Sequence, residues 1–224
     1  MSLLPTRMRP LPYRKPTPGR DYWVLDDALP DPLAVRERCL AGTEWEYGFP
    51  TTGEAWPGMR AIPALSESEL AIVEAKVRDA TGAKRLWMGS TEARQKLNHN
   101  CVQVVGAVEG AVKPHTDSLH LCRYAAVLYL NPQVPENCGT SFFRQRLGNG
   151  QLGGNVVQPP HRNLVDALGS RFVPPNAFAE DVRVAHRFNR LLLYKANIVH
   201  SASAYWGLED AASKRMTAVF FWMA

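Results

Sequence analysis

His115, Thr116 and Asp117 are followed much later in the chain by His200 and then by Arg215. Two imidazoles and one carboxylate are the donor set of an open-sided non-haem iron centre. They occupy one triangular face of an octahedral Fe(II) and leave three positions for a co-substrate and dioxygen. Arg215 adds a cation whose planar fork suits a carboxylate. His115 and Asp117 lie two residues apart, so in an extended segment both side chains point the same way. Pro114 helps by biasing Lys113 away from helical dihedrals. A chain with six histidines contains His-x-Asp pairs by chance. Alone, His115-x-Asp117 reads more readily as a solvated turn, and His200 as a satisfied core histidine. The residues C-terminal to His200 shift that balance.

The last apolar run, Lys214 to Met223, places Arg215, Thr217, Val219 and Phe221 on one side and Met216, Ala218, Phe220 and Trp222 on the other. A strand apolar on both faces is expected to be buried, and a buried Arg215 near its start needs an anion. The Thr217 hydroxyl on the same face would add a donor. Tyr129 shares a face with Ala125 and Val127, which are small enough to leave a cavity; a core tyrosine with a satisfied hydroxyl is the equal alternative.

The elements that must position these residues emerge from patterning. Asp21 to Leu25 reads as a short strand. Asp31-Pro32 opens a helix with Asp at the N-cap and Pro at the first helical position, running to Gly42. Ser66-Glu67-Ser68-Glu69 is a capping box that starts a second helix, with Leu70, Val73, Val77 and Ala80 on one stripe and an end at Gly82. Between them, Glu44 to Arg60 reads as an irregular segment that borders a pocket. From Leu86 onward, short apolar runs alternate with turn residues, as in a β-sandwich or barrel. Strands are expected near Lys96–Val105, Arg123–Leu130, Thr140–Arg144, Val182–Phe188, Arg190–Tyr194, Ala196–Ala202 and Lys214–Met223. Helices first and strands after predict an α+β, mainly β fold: a jelly-roll core with the N-terminal helices packed on one side.

Of 224 residues, 46% are hydrophobic and 21% charged, a globular rather than disordered composition. The net charge of +5 sits in residues 1–20, a Pro-rich stretch with Arg7, Arg9, Arg14, Lys15 and Arg20 and no acid; the other 21 basic residues balance the 21 acidic ones. Residues 1–20 are therefore expected to form a basic extended arm crossing the surface, and 21–224 a single jelly-roll domain. A neutral body without a basic aromatic groove speaks against nucleic acid as partner. Cys39, Cys101, Cys122 and Cys138 show no CxxC spacing and read as buried thiols. No apolar run approaches the roughly 18 to 20 residues of a membrane span, and residues 1–20 lack a secretory signal's apolar core. A soluble, cytoplasmic protein is expected.

Five segments in order, HTD at His115, VLYLN at Val127, CGTSFF at Cys138, IVHSAS at Ile198 and KRMTAVFFW at Lys214, resemble the Fe(II)/2-oxoglutarate-dependent dioxygenases, in particular their prolyl-hydroxylase-like branch. The resemblance covers Leu97 to Trp222. It implies a double-stranded β-helix with iron on His115, Asp117 and His200. It further implies O2 and 2-oxoglutarate as co-substrates, the far carboxylate of the latter meeting Arg215 with help from Tyr129 and Thr217. Two departures stand out: His200 and Arg215 are further apart than in close relatives, which brings Lys214 into consideration beside Arg215, and a Gly-Gly of the branch is here Cys138-Gly139. Relatives that halogenate replace the metal-binding carboxylate with a small residue, so Asp117 favours hydroxylation over halogenation, with desaturation and cyclisation as the alternatives it leaves open.

The expected reaction is hydroxylation of an unactivated C–H bond of a small metabolite, amino acid or peptide-derived natural product, with release of succinate and CO2. A cupin-type metal site with other chemistry, or a non-catalytic binding module using the basic arm, is the alternative. Residues 147–179 interrupt the strand pattern with Gly and Pro and read either as a lid or as a surface insertion. Arg146, His161 and Arg162 in or beside it are candidates for a substrate carboxylate, while His99, His120 and His186 have no comparable partner pattern. The substrate itself and the oligomeric state are not encoded in any spacing of this sequence.

Overall fold

The computed structural model of the chain describes residues 8–48, 57–89, 99–170, 173–174 and 176–224. In chain order its elements are β1 (Tyr22–Leu25), α1 (Pro32–Ala41), β2 (Glu46–Tyr47), β3 (Met59–Ala61), α2 (Glu67–Thr81), β4 (Cys101–Val105), β5 (Tyr124–Tyr129), β6 (Gly139–Gln145), α3 (Leu164–Leu168), β7 (Phe178–Ala185), β8 (Leu191–Lys195), β9 (His200–Ala202) and β10 (Arg215–Trp222). The helix starts obey their signals. Asp31 caps α1 by accepting from the Ala34 N–H, and Ser66 and Glu69 form the reciprocal capping box of α2.

Seven strands form one antiparallel sheet in the order β1-β8-β5-β10-β4-β3-β2, and three form a second in the order β7-β6-β9. Two hydrophobic layers result from the alternation of side chains across the large sheet. On one face Val104, Leu128, Met216, Ala218, Phe220 and Trp222 pack with Val35, Val73 and Val77 of the helices. On the other, Ala125, Val127, Tyr129, Leu192 and Tyr194 meet Phe142 and Val184 of the small sheet. This is the expected jelly roll with its helices on one side. The four cysteines are buried and unbridged.

The differences from expectation lie at element ends and in short pieces. The strand expected at Val182–Phe188 begins earlier, at Phe178, and pairs with β6 through a register shift between Phe142 and Phe143. Of Ala196–Ala202 only His200–Ala202 joins the sheet, because Ala196–Ile198 turns, its Ile198 N–H closing onto the Lys195 carbonyl. Glu44–Arg60 carries two short strands, β2 and β3, rather than none; the intervening 49–56 lie outside the described residues, as do 96–98 of the strand expected from Lys96.

Residues 8–16 run along the body without regular structure, and 17–21 form a turn. Leu11 is buried against Phe143, Val157, Leu164 and Leu168 on the outer side of the small sheet. Asn155 holds this segment at three points: its side chain accepts from Arg14 N (2.8 Å) and donates to Arg14 O (2.7 Å), and its backbone N–H donates to Pro12 O (2.9 Å). Gly154 allows the approach, since a Cβ there would collide with the Leu11 and Pro12 carbonyls. The 147–179 segment accordingly contains packed structure: Val156, Val157, Leu164, Ala167 and Leu168 are buried.

Candidate metal centre and co-substrate pocket

His115 and His200, far apart in sequence, are directly paired in space. Each donates its backbone N–H to the other's carbonyl (3.0 and 2.9 Å), and the Asp117 N–H donates to Ala196 O at 3.0 Å. This pairing puts His115, Asp117 and His200 side chains in one cluster with donor atoms all within 4.8 Å of one another. The imidazoles are oriented by backbone carbonyls: His115 Nδ1 donates to Lys113 O and His200 Nδ1 to Ile198 O, both at 2.8 Å. A carbonyl can only accept, so Nδ1 carries the proton and each Nε2 is left with its lone pair. The Tyr194 ring lies 4.4 Å from that of His200 and braces it against the His115 ring, 4.5 Å away on centroids.

The electrostatics suit a cation. Burial, together with the His200 neighbour, lowers His115 to about 4, and burial lowers His200 to about 4, so both are neutral at pH 7. Burial raises the Asp117 carboxyl to about 6. Asp117 Oδ2 is buried and accepts no hydrogen bond; His200 Nε2, which carries no proton in this tautomer, lies 3.5 Å off. A desolvated carboxylate oxygen without a donor is costly. A divalent cation bound among the three donors removes that cost, and two neutral imidazoles with one carboxylate are the right set for it. The residues present therefore fit an Fe(II) ion.

Arg215 begins β10. It is 4% exposed; its Nη1 donates to Thr217 Oγ1 at 3.3 Å, and its Nε is buried without a partner. Among the described residues no carboxylate pairs with it. Lys214, the neighbouring cation, is already neutralised by Glu109 (2.5 Å). Thr217 stands in register with Tyr129, whose hydroxyl donates to Thr140 Oγ1 at 2.8 Å. Arg215, Thr217 and Tyr129 thus face the space between the sheets. A guanidinium beside a hydroxyl is a donor set that suits a carboxylate.

Sequence reasoning missed three contributors. Thr140 anchors the Tyr129 hydroxyl, and Tyr194 braces His200. His186, counted among the spare histidines, lies with its ring 4.5 Å from that of Tyr129, and its Nε2 donates to Asn131 O at 2.9 Å. Burial, with the charges of Arg215 and Arg190 adding, lowers His186 to about 4. Only the alternation of β6 and β8 could have pointed to Thr140 and Tyr194, and only after the partner sheet was known. Of the substrate candidates, His161 and Arg162 are engaged by Asp166, through the ring (3.4 Å) and the backbone N–H (3.0 Å), and the Arg162 carbonyl accepts from the N–H of Leu119, two residues after Asp117.

Solved structures share the fold of this chain. The non-heme alpha ketoglutarate dependent epimerase SnoN from nogalamycin biosynthesis superposes with a TM-score of 0.56 at 18% identity, over 91% of this chain and 79% of that one. SnoN in complex with Fe3+, alpha ketoglutarate and nogalamycin RO gives 0.55 at 18% identity over the same shares. AviO1 from Streptomyces viridochromogenes Tue57 gives 0.52 at 15%, over 92% and 90%. At such identities the likeness is one of fold. No curated protein matches the chain in sequence. A family model described as "Family of unknown function (DUF6445)" matches residues 12–222, from the docked arm to the last residue of β10, and the chain belongs to that family.

Proposed function

We propose that the chain is a non-haem Fe(II)/2-oxoglutarate-dependent oxygenase that hydroxylates an unactivated C–H bond of a small metabolite, amino acid or peptide-derived natural product, releasing succinate and CO2. One conjunction carries the reading: an orphan carboxylate oxygen between two neutral imidazoles, with a buried guanidinium at the start of β10 that no carboxylate of the described residues satisfies. A cupin-type metal site would account for the first half and leave Arg215 without an anion. That SnoN is described as non-heme and alpha ketoglutarate dependent supports the same assignment.

In this reading His115, Asp117 and His200 hold the metal, and Arg215, Thr217 and Tyr129 receive the far carboxylate of 2-oxoglutarate. Iron with 2-oxoglutarate and dioxygen supplies the oxidising power when bound. The chain's own residues orient and exclude. The Lys113 and Ile198 carbonyls keep both Nε2 atoms directed at one point, and Tyr194 prevents His200 from rotating. Thr140 accepts the hydrogen bond of the Tyr129 hydroxyl and holds the phenol beside Thr217. Ala125, Val127, Leu192, Phe142 and Ile198 wall the space with hydrocarbon, which keeps water out and strengthens every charge inside.

The test is an anaerobic titration of the protein with Fe(II) and 2-oxoglutarate. A weak visible metal-to-ligand charge-transfer band is expected, abolished in His200→Ala and weakened in Arg215→Ala. Correctly folded protein that gives no band would sink the assignment. The description of SnoN as an epimerase favours epimerisation as a second outcome; the mass of the product separates the two, since hydroxylation adds one oxygen atom and epimerisation none.

A further inference from the structure

His186, a histidine without a partner pattern in the sequence, stands on the inner side of the sandwich. It follows directly on β7, where Val182 and Val184 face the core between the sheets, and alternation gives it the same side. Its ring lies 4.5 Å from that of Tyr129 and 5.8 Å from that of Trp206 on centroids, and its backbone N–H donates to Cys138 O at 2.9 Å. Asn131 ties it to the start of β10. The Asn131 carbonyl accepts from His186 Nε2, while the Asn131 side chain donates to Lys214 O (2.8 Å) and accepts from the Met216 N–H (2.6 Å). One residue thus holds the ring and brackets Arg215.

Because Nε2 donates to a carbonyl, the neutral ring keeps its lone pair on Nδ1, and that atom is buried without a partner. A buried acceptor without a donor is costly, and a proton on Nδ1 removes the lone pair that lacks one. The charges around the ring decide whether it gains that proton. Arg190, just before β8, is engaged by Asp26 at 2.6 Å, and Arg187 by the same carboxylate at 2.8 Å. Burial pushes Tyr129 and Cys138 up, so both are neutral, and Trp206 carries no charge. Arg215 has no carboxylate partner among the described residues. Burial and then the Arg215 and Arg190 charges hold His186 at about 4, and of those two charges only that of Arg215 is left for a ligand to cancel.

We propose that His186 takes up a proton from solvent when the far carboxylate of 2-oxoglutarate settles at Arg215, and so adds a second cation to that receptor. The inference rests on the oxygenase reading and adds a residue to its co-substrate site. An anion at Arg215 cancels the charge that opposes protonation; no bond of the co-substrate is made or broken in the step. Linkage makes the effect reciprocal: a ligand that raises the proton affinity of the ring binds more tightly where the ring is protonated. Affinity for 2-oxoglutarate should therefore rise as pH falls through the midpoint of the loaded protein and level off below that of the empty one.

The experiment follows the His186 ring nitrogens by NMR in the full chain with diamagnetic Zn(II) in place of Fe(II). Two probes are compared at concentrations that saturate the metal: 2-oxoglutarate, and 2-oxobutyrate, which has the same chelating end and no far carboxylate. 2-Oxoglutarate should move the His186 midpoint from about 4 to about 5 or above, the effect of an opposite charge nearby, and 2-oxobutyrate should leave it in place. Between about pH 7.5 and about pH 5.5 the half-saturating concentration of 2-oxoglutarate should fall about twofold or more in the wild type. It should change less in His186→Gln, whose amide can still donate to Asn131 O but takes no proton. Binding of 2-oxoglutarate with an unmoved midpoint overturns the inference and leaves the oxygenase reading standing. An equal shift with 2-oxobutyrate, or a pH dependence that His186→Gln keeps in full, overturns it as well. If that variant does not fold, the wild-type titration with the two probes decides alone. Absence of the charge-transfer band when the wild-type chain is given Fe(II) and 2-oxoglutarate removes both.

Discussion

The two faces of β10 are both turned inward and chemically opposite. Toward the helices it presents Met216, Ala218, Phe220 and Trp222, all fully buried within a continuous hydrocarbon layer. Toward the small sheet it presents Arg215 and Thr217, then the partly buried Val219 and Phe221. The first face is stabilised by removing apolar surface from water. The second removes a charge from water and leaves its Nε without a partner, which opposes folding. One strand thus holds the fold with one side and stores unmet polar demand with the other. A face that costs stability in the empty protein is what a ligand can repay.

The contrast between the faces can be broken most decisively at the metal. His200→Ala removes one of the three proposed ligands, so Fe(II) affinity should fall by roughly 100-fold or more. Unfolding in urea should change little; equal damage to binding and stability would erase the distinction between the faces. The converse substitution, Phe220→Ala on the helix side, should cost about 3–5 kcal/mol of stability. The protein that remains folded should still bind Fe(II), as read by the titration endpoint. Arg215→Met is expected to weaken 2-oxoglutarate binding by roughly 10- to 100-fold, the worth of a charge-assisted hydrogen bond or two. The same variant should unfold at a temperature no lower than wild type in the absence of ligand, since an apolar side chain replaces a buried unpaired charge.

The smallest effect lies in His186. Its folded pKa is about 4, below its ordinary value. The neutral ring thus contributes stability that is fully present above its unfolded pKa of about 6.5 and is lost as pH falls toward 4. Removing the Arg215 charge in Arg215→Met should move the His186 titration upward, visible as a shift of its ring proton resonances with pH. An unchanged midpoint would mean that Arg215 does not set the field in this half of the sandwich.

The helix side is easy to read from sequence, because caps and periodic apolar residues are local. Asp31-Pro32 and Ser66–Glu69 act within a few residues of themselves, and α1 and α2 end at Gly42 and Gly82 as their spacing predicts. The doubly apolar pattern of β10 likewise announces burial. The site side is legible only in its chemistry-bearing residues. Nothing local says that His200 pairs with His115, since that register is made by chain segments far apart. Thr140 and Tyr194 look like ordinary strand residues until the sheet opposite is known. β3 falls in a segment that reads as irregular because it is three residues long, too short to show alternation. Residues 147–179 carry the signs of a loop and conceal packing, since their buried positions keep no regular period.

Asn155 has a consequence for when the molecule becomes whole. Its carbonyl accepts from Val199, next to His200, while its side chain grips Arg14, 141 residues earlier. At a synthesis rate of about 5–20 residues per second, Arg14 waits roughly ten seconds for its partner to emerge from the ribosome. Arg14 and its neighbours are therefore placed only after Asn155 has emerged, and Asn155 in turn receives the segment that carries His200. A bulky fusion that holds residues 8–20 away from the body should delay the maturation of the metal centre more than it harms the finished protein.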